Sequence, residues 1–154
     1  MKVYLVQHGK PVAKEENPDR PLSDAGKKDV ERVTQHLRQC GISVGRVFHS
    51  GKTRAKDTAE ILSRGLDPAL KPQEREGLSP LDSVRPIADV IQTGEEDLLI
   101  AGHLPHLAKL AALLVAGDET KLVVRFQQGG VVCLEQDEEG RWAVAWMVVP
   151  EILP

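Results

Sequence analysis

Val3-Tyr4-Leu5-Val6-Gln7-His8-Gly9 is an unbroken apolar run, β-branched and aromatic, that stops at a glutamine, a histidine and a glycine. A run without the alternation of a half-exposed strand predicts a strand covered on both faces, as in parallel sheets layered between helices. Asp97-Leu98-Leu99-Ile100-Ala101, stopping at Gly102-His103, repeats the pattern, and Val44 to His49 gives a third strand before Ser50. Helical spacing fills the intervals. Ser23 is a good N-cap for a helix with Ala25, Val30, Val33 and Leu37 inside and Gly41 as its stop. Ser50 can cap a second, with Ala55, Thr58, Ala59 and Leu62 inward until Gly65.

A connecting segment follows through Pro68, Pro72 and Pro80, then a shorter helix over Ser83 to Ile91 with Pro86 in its first turn. Pro105 opens a helix that is apolar almost all round, with Leu107, Leu110, Ala111 and Leu114 as its inner stripe, so it is expected to be buried. In the last third, Leu122 to Phe126, Val131 to Glu135 and Trp142 to Val149 are short strands joined by tight turns, as in antiparallel pairs. Trp142, Val144, Trp146 and Val148 alternate and are assigned to one core-facing side. The expected fold is a single α/β domain over residues 1–154: a three-layer α/β/α sandwich whose central sheet is mainly parallel with antiparallel C-terminal strands.

Composition narrows the function. With 41% hydrophobic and 28% charged residues the chain is of ordinary globular type, and a net charge of -3 argues against nucleic-acid binding, which needs a basic surplus. No apolar stretch approaches the ~20 residues that cross a bilayer. The opening Met1 to Val6 is too short for a signal peptide, and Cys40 and Cys133 form no close-spaced pair, so reduced thiols and a cytoplasmic location are expected.

In an open parallel sheet the carboxyl ends of the strands share one crevice. His8 and His103 each follow such a strand, and Arg54 lies in the first turn of a helix following another, where free backbone N–H groups favour an anion. Two imidazoles and a guanidinium converging on one anion is what phosphoryl transfer to a histidine nucleophile requires. Gly9 would let phosphate and backbone approach closely, and the proline-broken loop from Lys10 to Pro21 suits a cover over the site. His106 stands three residues from His103, but no third ligand accompanies the pair, so no metal is assigned. His36 and His49 are expected to be structural or solvent-facing, and Cys133 has no base near it in sequence.

The order of these pieces resembles the histidine phosphatase superfamily, of phosphoglycerate mutase-like fold, and within it the small SixA-type protein phosphohistidine phosphatases. The resemblance is carried by His8-Gly9 after the first strand, Arg20-Pro21-Leu22-Ser23 with Ala25-Gly26, Ser50 to Thr58 around Arg54-Ala55, and His103-Leu104-Pro105. It implies that His8 accepts the phosphoryl group, that Arg20 and Arg54 clamp its oxygens and that His103 completes the pocket, with no metal or cofactor. Glu76, with Glu74 as competitor, is where the chain offers an acid for an ester leaving group. Where the family has arginine this chain has Gln7, which donates hydrogen bonds but carries no charge, and a weakened activity is therefore expected. The implied substrate is a phosphohistidine-bearing protein; a small phosphate monoester is the alternative, and a non-catalytic phosphate- or phosphoprotein-binding module the alternative of a different class.

Overall fold

The computed structural model describes all residues, Met1 to Pro154. Strands β1 (Lys2–Gln7), β2 (Arg46–His49), β3 (Gln73–Glu74), β4 (Leu98–Gly102), β5 (Val131–Gln136) and β6 (Trp142–Val148) form one sheet in the order β3-β2-β4-β1-β5-β6. β1, β2, β3 and β4 run parallel to one another, while β5 pairs antiparallel with both β1 and β6. Helices α1 (Asp24–Gln39), α2 (Thr53–Leu66), α3 (Arg85–Thr93) and α4 (His106–Ala116) cover the two faces.

The pleat of β1 sorts its apolar run between two cores. Val3 and Leu5 join Ile87, Ile91, Leu107 and Leu110 of α3 and α4, while Tyr4 and Val6 join Val30, Val33, Leu37 and Leu62 of α1 and α2. β4 repeats the division, with Leu98 and Ile100 on the first side and Leu99 and Ala101 on the second. This is the three-layer arrangement expected of doubly buried parallel strands.

Several local expectations are corrected. Ala25 is exposed and Gly26 takes the buried place, because a Cβ at Gly26 would collide with the Lys10 carbonyl oxygen. Gly65 does not end α2; it lies inside the helix where a side chain would strike the Thr34 methyl of α1. Residues 122–126 form no strand, and the two-residue β3 arises in the segment expected to be only a connection. Ser50 is not the N-cap of α2, a place held by Lys52 without a side-chain bond.

The C-terminal hairpin also departs from simple alternation. A register shift between Cys133 and Leu134 pairs them with Trp146 and Val144, so one residue of β6 is passed over. Such a bulge reverses which face later side chains take. Trp142 enters the α3–α4 core, Val148 the α1–α2 core with Trp146 packed against it, and Val144 is exposed. Trp146 stacks at a tilt on Tyr4, 5.9 Å between ring centres.

Candidate active site

Parallel register brings the two histidines together. Gln7 pairs with Gly102 and His49 with Ala101, so His8, Ser50 and His103 leave the sheet at one common edge. The His8 N–H donates to the Gly102 carbonyl at 3.0 Å. The imidazoles of His8 and His103 lie 5.1 Å apart between ring centres, and both are buried.

His8 Nδ1 is 2.8 Å from the Gly9 carbonyl oxygen. A carbonyl can only accept, so Nδ1 carries the ring proton and Nε2 keeps its lone pair, the state a nucleophile needs. Burial lowers the His8 pKa from its ordinary value, opposed by the Gly9 hydrogen bond and reinforced by Arg54 and Arg20. The ring is therefore neutral at pH 7. Gly9 itself is demanded by packing: a Cβ there would lie 2.8 Å from Val30 Cγ2. Its N–H is committed to Thr58 Oγ1 at 3.0 Å, and Thr58 in turn donates to the Arg54 carbonyl at 2.8 Å. Behind the strand end, Gly129, at a φ of 76° that favours glycine, donates its N–H to the Gln7 carbonyl at 2.9 Å.

His103 Nε2 is 2.6 Å from Ser50 Oγ, and Ser50 Oγ also accepts the Lys52 N–H at 3.3 Å. In the tautomer in which the Ser50 hydroxyl donates to Nε2, the ring proton of His103 lies on Nδ1. That buried Nδ1 has no partner in the protein. Burial first, then His8, Arg54, Lys52 and His106, lower the His103 pKa to about 3. A neutral ring with one unpartnered nitrogen thus stands beside His8.

Arg54 adds an open donor, since its Nε is buried without a partner. Its pKa is lowered by burial and then by Arg20, whose charge therefore reaches the same place. Arg20 holds a left-handed backbone, φ 49°, uncommon for a residue with a side chain, and its Nε donates to the Val12 carbonyl at 3.3 Å. The Lys10 to Pro21 loop that carries it is tied down by Leu22 N–H to Asp57 Oδ2 of α2 at 3.1 Å. Buried nitrogens without partners and concentrated positive charge are the chemistry that suits an anion.

Glu76 does not bond to these groups. It is exposed and lines a cleft of about 510 Å³ that adjoins the histidines through Ser50, with Glu74, Arg75 and Asp82 in the same wall. His49 is buried, its Nδ1 accepting the Gly51 N–H at 3.0 Å, and His106 is wholly buried. Sequence reading missed Ser50 as the partner of His103 and Thr58 as the support of Gly9. A polar residue at an inward helical position, as Thr58 is among Ala55, Ala59 and Leu62, was the available signal.

Sheet order, paired histidines and clustered cations together define a protein of the histidine phosphatase class. The chain belongs to that superfamily: the profile of the histidine phosphatase superfamily (branch 1) matches residues 3–83. An uncharacterized protein of Picosynechococcus sp. is 30% identical over 142 residues, which is 87% of this chain and 84% of the relative. Among solved structures, the protein histidine phosphatase SixA complexed with tungstate shares the fold at a TM-score of 0.86, with 23% identity and 97% of each chain covered. A phosphoserine phosphatase mutant from Entamoeba histolytica in complex with phosphoserine aligns at 0.67, with 14% identity over 95% of each chain.

Proposed function

We propose that the chain is a cytoplasmic phosphatase that works through a phosphohistidine at His8 and takes its phosphoryl group from phosphohistidine on a signalling or carrier protein. The observation that supports it most is the pairing of a lone-pair Nε2 on His8 with two buried nitrogens that have no partner, His103 Nδ1 and Arg54 Nε. In the first step His8 Nε2 attacks phosphorus while the bond to the leaving group breaks. Arg54, Arg20 and His103 hold the equatorial oxygens as charge shifts between the entering and leaving atoms. An imidazole leaving group departs already protonated, whereas an ester oxygen takes its proton from Glu76, which lines the cleft next to Ser50. Water then attacks the phosphohistidine, releasing phosphate and restoring His8.

The test is turnover of a phosphohistidine protein and of small phosphate esters by wild type and His8→Ala. Wild type is expected to release phosphate and to carry an acid-labile, alkali-stable phosphoryl group on His8 after brief exposure, with His8→Ala losing both. Retained turnover in His8→Ala refutes the nucleophile. Binding without turnover in wild type points instead to a phosphate-binding module.

A further inference from the structure

The charge around the histidines is divided. On one side stand Arg20, Lys52 and Arg54, whose fields lower the imidazole pKa values. On the other, reached through Ser50, the cleft of about 510 Å³ has no hydrophobic lining residue and carries Glu74, Glu76 and Asp82 against Arg75. None of the three carboxylates has a cationic partner: the ion pairs of the molecule are Arg32–Asp29, Arg141–Asp137 and Arg141–Glu139, all elsewhere. The Arg75 guanidinium is instead laid on the Phe48 ring, 4.9 Å from its centre.

The cleft shares Ser50 with the histidines. The Glu74 carboxylate occupies the space a side chain at Gly51 would fill, next to the serine that holds His103. Behind the lining, His106 is 0% exposed and its ring is turned to the Gly77 and Ser83 backbone, so it takes no part in the cleft surface. A substrate that reaches His8 past Ser50 thus meets unpaired negative charge, in a cleft of about 510 Å³ that exceeds a single ammonium group.

We infer that the cleft receives lysine or arginine side chains flanking the phosphorylated residue of a protein substrate, so that the site reads a phosphate next to a basic segment. The inference rests on the phosphatase reading above and names the partner of that site. Charge pairs of this kind steer encounter and select partners more than they add affinity.

The experiment compares two phosphohistidine peptides, identical except for lysines or glutamates flanking the phosphohistidine, with phosphoethanolamine and para-nitrophenyl phosphate as small controls. Wild type is expected to favour the lysine peptide by about tenfold in kcat/KM, a few exposed pairs each contributing a modest factor. The preference shrinks in about 1 M salt, where the Debye length falls to ~3 Å. Asp82→Asn keeps an acceptor for the Ser79 N–H that Asp82 now receives at 2.9 Å. It is expected to narrow the preference by about threefold, the loss of one exposed charge pair, with para-nitrophenyl phosphate turnover unchanged.

Equal kcat/KM for both peptides, or a preference that salt and Asp82→Asn leave intact, overturns the inference. Phosphoethanolamine turned over as well as the lysine peptide overturns presentation on a protein. Failure to hydrolyse any of the four sinks the phosphatase reading instead. Fluorescence anisotropy of the two labelled peptides then still decides the cleft, tighter binding of the lysine form upholding it and equal binding refuting it.

Discussion

Gln7 ends β1 in register with Gly102, and its Oε1 is buried without a partner. An amide there supplies a dipole where an arginine would supply a charge and a fixed fork of donors. Adding one preorganised donor to a phosphoryl transition state is worth about 100-fold, so Gln7→Arg is expected to raise kcat by about ten- to a hundredfold. Steady-state turnover of a phosphohistidine substrate checks this, and an equal or lower rate counts against the weakened-site reading. The meeting of His8 and His103 at one end of the sheet was readable from sequence because each sits just past a recognisable strand. Ser50 was not: its hydroxyl looked like a local cap, and its partner is 53 residues away, a distance no local pattern encodes.

Helix α2 holds the strand end as much as it carries Arg54. Thr58 accepts the Gly9 N–H from its inner face, so Thr58→Val leaves that buried amide without a partner. A cost of about 1–3 kcal/mol in denaturant unfolding is expected, with reduced kcat, while Thr58→Ser keeps the hydroxyl and stays near wild type. Equal stability of the two variants would show that the hydroxyl does not support the loop. The helices themselves followed from apolar spacing, and so did the doubly buried character of β1 and β4. Their contacts did not: Gly26 and Gly65 look like a helix interruption and a helix stop, yet both are places where one segment presses on another. The β6 bulge is equally silent, since passing over one residue changes the partner strand's register and not the composition of β6.

Over the whole molecule, His8, His49, His103 and His106 are all buried, and burial is the leading cause that lowers each pKa. In the unfolded chain these imidazoles take up protons near pH 6.5, whereas folded His103 resists until about 3. Between those values the unfolded state binds more protons, so the stabilisation present above pH 6.5 is lost as the pH falls. Urea midpoints are expected to drop from pH 7 to pH 5, and less steeply in His106→Phe; parallel slopes would exclude His106 from the linkage.

The layered α/β plan was legible in the chain because burial on two faces leaves an unalternating apolar run, and a strand's end marks where side chains of a parallel sheet meet. The tautomer of His8, the unpartnered nitrogens of His103 and Arg54 and the acidic cleft were not legible. Each depends on distances between atoms far apart in sequence, and those exist once the sheet order β3-β2-β4-β1-β5-β6 has set the segments side by side.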